Sequence, residues 1–492
     1  MAMVRFAVLV AAGLSMAGGA LASSFVMPEN PGDFAEPVPF AALEEILAEA
    51  DKAPHVSVTK EGESVEGRPL LLARIGHAED QDPWRIFLIG LQHGNEPAGR
   101  DALAWMIRDY ARHPEKLPRG VELYILPNIN PDGGEKNQRR NANGIDLNRD
   151  HVELSQPETV TLHRIQRRLM PHVTVDCHEF GRDTSDYVAQ GWLEWPLIMM
   201  DTAAHPLFPD PLVRAGERWV DDVAPVMEAA GFNYCRYFVG DAPPGEMRWS
   251  HPELGDARNT LGTYLGLSFI IESGIFRQAE NQNADLGERV AAYVLLLRQF
   301  IENDQHRGAD RAVIEAARAA RLPRFLPTNY FWASVGLRER QVPVILKETG
   351  ETRFVPTASL MDTLVVKTVV PTPRAYLIRP AQAELYAAWL GLHGVAFEVL
   401  DMPQTMRLQP ARQVRFEEED DDVYGRYSNR TINALEPIVE GEAEAGSLLV
   451  PLEGLQAFRA AIMLEPAQVF GLGQYKSFQV PAPDWPVVRV MD

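Results

Sequence analysis

Two metal-capable side chains, His93 and Glu96, stand three residues apart just after an apolar run, RIFLIGL at 85–91. A second imidazole, His178, closes another run, VTVDCH, and a carboxylate, Glu272, closes a third, SFIIES. Two imidazoles and one carboxylate with a fourth position left open make a catalytic zinc set. A further carboxylate beside such a set can collect a proton from water. Taken singly, each residue has a plainer reading. A histidine and a glutamate three apart are common by chance. His178 also suits a satisfied core histidine or a surface turn, and Glu272 a helix cap or a surface salt bridge. Placement gives the set its weight, because ligands of open α/β sheets sit beyond the carboxyl ends of strands.

The elements that must position these residues alternate in kind. Strands are predicted at 70–75, 85–91, 122–126, 173–176 and 269–271, and helices at 40–51, 98–110, 163–169 and 287–301. Pro97 sits where a first helical turn tolerates it. Interleaved strands and helices imply an α/β domain with a mixed, twisted central sheet flanked by helices. Beyond about residue 305 the character changes. Strands are expected at 342–346 and 363–370, then a small β-α-β unit of strand 375–378, a helix to about 394 and strand 395–400. The expected organisation is a signal peptide at 1–22, a Pro-rich leader at 23–37, a catalytic domain at 38–305, and a smaller α+β accessory region at 306–492.

More residues join the set between its members. Asn130-Pro131-Asp132-Gly133 precedes Arg139-Arg140-Asn141, and Gly144-Ile145-Asp146-Leu147-Asn148-Arg149 follows. With these the chain resembles the zinc carboxypeptidase family, the metallocarboxypeptidases with a carboxypeptidase A type of site. The order HxxE, RxN, DLNR, H, E matches, as does the lead-in GESVEGRPLLLARIG at 62–76, and the likeness covers about residues 38–305. The resemblance implies one zinc ion on His93, Glu96 and His178. It implies that Glu272 is the general base for the attacking water and that Arg139 stabilises the oxyanion. Asn148 and Arg149 would grip the substrate's terminal carboxylate, and Asp146 would orient a zinc-binding histidine, His93. Arginine is always charged and matches a planar carboxylate, so it suits both of its roles. A carboxylate behind a ligand fixes the ring's tautomer. Arg139 rather than Arg140 is placed in the site because it opens the RxN spacing.

Some positions depart from the family pattern. DLNR continues as Asp150-His151 where an asparagine and an aromatic are usual, and His178 is followed by EFG. The family's mobile tyrosine has two candidates, Tyr237 and Tyr264, and spacing favours neither. The loop at 240–259 is expected to shape the specificity pocket. Asp256 or Glu253 there could favour a basic side chain, although solvent exposure is the plainer reading of both.

Composition narrows the partners. The 492 residues are 46% hydrophobic and carry a formal charge of −21, which argues against nucleic acid and against docking on anionic lipid. Arg5, an apolar run to about Ala17 and Ala20-Leu21-Ala22 read as an export signal, so a secreted and periplasmic location is expected, with no membrane span after cleavage. The two cysteines, Cys177 and Cys235, could pair in an oxidising compartment or stay as separate buried thiols. The activity these observations favour is removal of a C-terminal amino acid from peptides with a free carboxylate. A murein-peptide amidase is a close variant. The alternatives are a deacylase of the aspartoacylase or succinylglutamate desuccinylase kind, which the NPDG and RRNANG segments fit less well, and a non-catalytic binding protein, which the full set of chemical residues disfavours.

Overall fold

In the run VTVDCH, successive side chains of an extended strand must face opposite ways. The computed structural model, which describes residues 25–334, 340–418, 429–478 and 484–492, uses this alternation throughout; the signal read at 1–22 lies outside the described residues. Eight strands make one sheet: β1 (Val56–Glu63), β2 (Pro69–Gly76), β3 (Trp84–Gly90), β4 (Val121–Leu126), β5 (Val173–Gly181), β6 (Ile198–Thr202), β7 (Tyr234–Arg236) and β8 (Leu267–Ile275). Their spatial order is β1-β2-β4-β3-β5-β8-β6-β7. The central strands β4, β3, β5 and β8 run parallel. β1 and β2 are antiparallel to their neighbours on one side, and β6 is antiparallel to β8 on the other. This is the expected mixed sheet.

Helices cover both faces. Ile86, Leu88, Val173, Val175 and Cys177 point into the larger core with Leu103 of α2 (Pro97–Arg112) and Leu297 of α4 (Leu286–Glu302). The alternate residues Phe87 and Ile89 pack with Leu162 and Ile165 of α3 (Pro157–Leu169) on the opposite face. Each fully buried side chain of this size contributes roughly 1.5–3 kcal/mol. The amphipathic α1 (Phe40–Ala50) adds Leu43 and Leu47 to the larger core.

The segment read as a leader is packed from residue 25 on. Met27, Phe34 and Val38 are buried, and Arg108 donates to the Met27 carbonyl at 2.8 Å. Its apolar residues are isolated between prolines, so no periodicity announces them. Cys177 on β5 and Cys235 on β7 are separated by β8 and β6. Three strand spacings, roughly 14 Å, exceed what a disulfide spans, and both thiols are free.

The C-terminal region differs from the expected β-α-β unit. The strand Ala375–Ile378 and the helix Ala383–His393 are present, but the second strand shrinks to Glu398–Val399. Both strands pair antiparallel with Leu448–Pro451, which lies between them in a six-stranded sheet. A strand supplied from fifty residues downstream leaves no local signal. This region shares its core with the N-terminal part: Tyr376, Ile378, Tyr386, Trp389 and Val487 belong to the same buried cluster as the sheet. It also braces two loops. The strand Arg340–Leu346 pairs with Trp192–Glu194, and Ser359–Met361 pairs with Glu246–Trp249. No helix among the described residues is long and apolar enough to cross a membrane.

Candidate metal centre

The chain leaves β3 through Leu91, a non-glycine residue at φ 58°. Backbone held in this sparsely populated region turns Gln92 and His93 away from the strand axis. Gly94 then passes so close to the next segment that a Cβ there would lie 2.1 Å from the Gly133 carbonyl carbon. Glu96 is the cap residue before Pro97 opens α2. The pair is thus fixed between a strand end and a helix start. His178 arrives from β5, on the face that also carries Thr174 and Asp176.

His93, Glu96 and His178 converge. One ligand atom from each lies within 4.8 Å of the others, and all three residues are buried. His93 Nδ1 is 2.9 Å from Glu96 Oε1, and His178 Nδ1 is 3.0 Å from His93 Nδ1 and 3.1 Å from Glu96 Oε2. The opposite nitrogens are backed by carboxylates. His93 Nε2 lies 3.0 Å from Asp146 Oδ1, and His178 Nε2 lies 2.7 Å from Asp176 Oδ2. Each Nε2 faces its carboxylate, so the two Nδ1 atoms are the ones left to meet a cation beside Glu96. This meeting of nitrogen donors and negative charge calls for positive charge at its centre, and the donor set suits zinc. A proton on His178 answers the same demand. Although burial opposes it, Asp176 and Glu96 hold the His178 imidazole well above its ordinary range. Against the same opposition, the histidines hold Glu96 well below the usual carboxylate range.

Glu272 on β8 is the direct register partner of His178 on β5. Its carboxyl is pushed up to about 8 by burial and by the negative charges of Glu96 and Asp176, with His178 and Arg139 opposing. Arg139 spans two members of the centre. Its Nε donates to Asp146 Oδ2 at 2.9 Å, and its Nη1 lies 3.5 Å from Glu96 Oε1. Arg140 instead reaches the Gly144 carbonyl at 3.5 Å.

The remaining expected residues lie around the same centre. Asn148 is buried, with Oδ1 accepting from the Ala257 amide at 2.8 Å; its Nδ2 lies 3.2 Å from His178 Nε2, whose proton goes to Asp176, so the oxygen end of its amide is the engaged one. Arg149 is half-buried and donates to the Asn148 carbonyl at 2.7 Å. Burial and the Glu272 carboxyl push the Tyr237 phenol well above its ordinary value, with Arg258 and Arg149 opposing, so Tyr237 belongs to this neighbourhood. Tyr264 is packed on the α3 side of the sheet. Asp256 is occupied in structure: its Oδ1 accepts from the Asn259 amide at the start of the helix Ala257–Gly262, and its Oδ2 accepts from Arg258 at 3.0 Å. Glu253 lies 3.3 Å from His251 Nδ1.

Sequence reading missed several contributors. Arg277 places Nη2 3.3 Å from Glu96 Oε1. Asp176 sits two residues before His178, the spacing that shares a strand face, and this was its only signal. Behind Asp176 runs a buried chain. Gln92 Nε2 donates to Asp176 at 2.6 Å, His151 Nε2 lies 2.8 Å from Gln92 Oε1, and His151 Nδ1 lies 3.1 Å from His163 Nε2. His151, which departs from the family pattern, therefore supports the centre from behind.

A family model described as zinc carboxypeptidase matches residues 43–170. This part of the chain is similar to the zinc carboxypeptidase family. Similar proteins include a probable carboxypeptidase 2 of Arthroderma benhamiae, 35% identical over 126 residues that make up 24% of this chain and 24% of that protein. Carboxypeptidase 2 of Trichophyton tonsurans is 37% identical over 99 residues, 20% of this chain and 18% of that protein. These matches span about a quarter or less of the relatives' length. Among solved structures, a metallo-carboxypeptidase from Burkholderia cenocepacia is similar over 54% of this chain and 70% of its own, at 20% identity and a TM-score of 0.40. The zinc carboxypeptidase match includes His93, Glu96, Arg139, Asp146, Asn148 and Arg149. It ends before His178 and Glu272, which the sheet brings to the same place.

Proposed function

We propose that this chain is a zinc-dependent carboxypeptidase that hydrolyses the C-terminal amide bond of peptides. The observation that carries the reading is the convergence of His93, Glu96 and His178 with Glu272 in register beside them. When bound, zinc supplies Lewis acidity and lowers the pKa of water from about 15.7 towards 7. Glu272 takes the proton from the attacking water and delivers it to the leaving amine. Its buried position, which favours the neutral acid, suits a group that must hold that proton between the two steps. Arg139 faces the oxygen that gains charge, while its contact with Asp146 fixes its direction. Arg149 grips the terminal carboxylate. Asn148, whose Oδ1 is held by the Ala257 amide, offers its Nδ2 to the same carboxylate and steadies Arg149 through its backbone carbonyl. Tyr237, beside Glu272 and Arg149, closes the site. The signal read at 1–22 supports export, and periplasmic peptides, cell-wall stems among them, are the proposed substrates.

The test is a comparison of free and C-terminally amidated peptides with the zinc-loaded protein. Free peptides should be cleaved and amidated ones should be poor substrates. Equal rates on both would exclude an exopeptidase, and cleavage of N-acylated amino acids alone would favour a deacylase.

A further inference from the structure

Arg459 lies in the helix Gln456–Leu464 and is 3% exposed. Its Nε and Nη1 are buried without a hydrogen-bond partner. Among the described residues no carboxylate pairs with it. Its guanidinium instead lies 3.9 Å from the centroid of the Tyr264 ring. A cation–π contact recovers only part of the hydration that an arginine loses on burial. A buried guanidinium in this state is open to a further partner.

The surroundings point to the chemistry of that partner. Arg459 lines an open cleft of about 390 Å³ between the zinc carboxypeptidase part and the C-terminal region, together with Arg167, Tyr264, Gly454 and Gln456. Arg167 donates Nη1 to the Gly391 carbonyl at 3.1 Å and brings a second positive charge. The Tyr264 hydroxyl is buried without a partner. The helix that carries Arg459 starts at this cleft with no side chain capping its first amides. The carboxylate on the lining, Glu453, is exposed and makes no ion pair with either arginine. Two guanidinium groups, a phenol and a helix start offer donors and positive charge, and no carboxylate pairs with either arginine among the described residues.

We propose that this cleft binds a small oxyanion of the phosphate or carboxylate class, held by Arg459 and Arg167 with the Tyr264 hydroxyl donating to it. The bound anion joins α3 and Tyr264 to the C-terminal helix, and so ties the two parts of the chain together. This site shares no residue with the metal centre.

The test titrates the full-length protein with phosphate, and separately with acetate, at constant ionic strength and in the presence of a chelator. The chelator prevents metal from holding the anion. A saturable rise in melting temperature of about 2–4 °C is expected, with heat of binding seen by calorimetry. Arg459→Met should abolish both, and without anion should melt no lower than the parent, since it removes an unpaired buried charge. The stronger of the two anions identifies the ligand class. No saturation, or an equal rise in the parent and Arg459→Met through general exclusion of the salt from the surface, would overturn the proposal. Should Arg459→Met fail to fold, Tyr264→Phe decides. A several-fold weaker affinity supports the site, and an unchanged one removes it.

Discussion

Glu272 and His178 are paired across adjacent parallel strands, so their side chains project from the same face of the sheet. A strand spacing of about 4.8 Å sets the distance between their backbones. The proposed base is therefore placed beside the proposed metal ligand by the hydrogen-bond ladder itself, without a loop that could shift.

This pairing predicts the behaviour of Glu272→Gln. The amide keeps the shape and the strand, so zinc content and melting temperature should stay near the parent values. Turnover of free peptides should fall by roughly 100- to 10,000-fold. Metal analysis together with single-substrate kinetics checks it, and normal turnover with full zinc would remove Glu272 from the reaction.

Asp176 and Asp146 each hold the back of one imidazole, at 2.7 and 3.0 Å. Asp176→Asn and Asp146→Asn should each weaken zinc binding by roughly 10- to 100-fold, as expected when the partner that fixes a ligand's tautomer is lost. Competition against a chromophoric chelator measures this directly. Affinity unchanged in Asp176→Asn would show that Gln92 and His151 support nothing the metal needs.

The buried histidines set an acid limit on stability. Burial holds His151 down to about 4, with His178 and Arg149 adding to it, and it holds His393 down to about 3. Burial and His151 also keep His163 well below its ordinary value. These groups are depressed in the folded state, so the unfolded chain binds more protons below its own pKa of about 6.5. Their contribution is full above about pH 6.5 and is lost as pH falls towards 4 and below. Each histidine adds a slope of up to about 1.4 kcal/mol per pH unit. Urea denaturation at pH 7, 6 and 5 should show falling stability. His393→Phe should flatten the slope, because Trp389 Nε1 still donates to the Val152 carbonyl at 2.7 Å. A slope unchanged by that variant would contradict the assignment.

Trp389 also tests how the two parts of the chain are joined. It is buried against Phe478, Tyr386 and His393, and its hydrogen bond crosses to Val152. Trp389→Ala should cost about 3–5 kcal/mol. If the core is shared, one unfolding transition should move as a whole. An early separate transition of the C-terminal region would show that it unfolds independently.

The amino-acid sequence by itself determined the kind of chemistry and the layered α/β plan. Short-range spacing carries both: His93 and Glu96 three apart, the DLNR run at 146–149, and alternation along strands such as 173–178. Those features depend only on the local geometry of a turn, a helix or a strand. What the tertiary structure decided was every relation across the sheet. The pairing of His178 with Glu272, the support of His178 by Asp176, Gln92 and His151, and the approach of Arg277 to Glu96 bring together residues up to 181 positions apart. The insertion of Leu448–Pro451 between two strands read as neighbours is of the same kind. Such contacts follow from strand order and register, which are set by how whole hydrophobic faces pack. No window of local sequence contains that information.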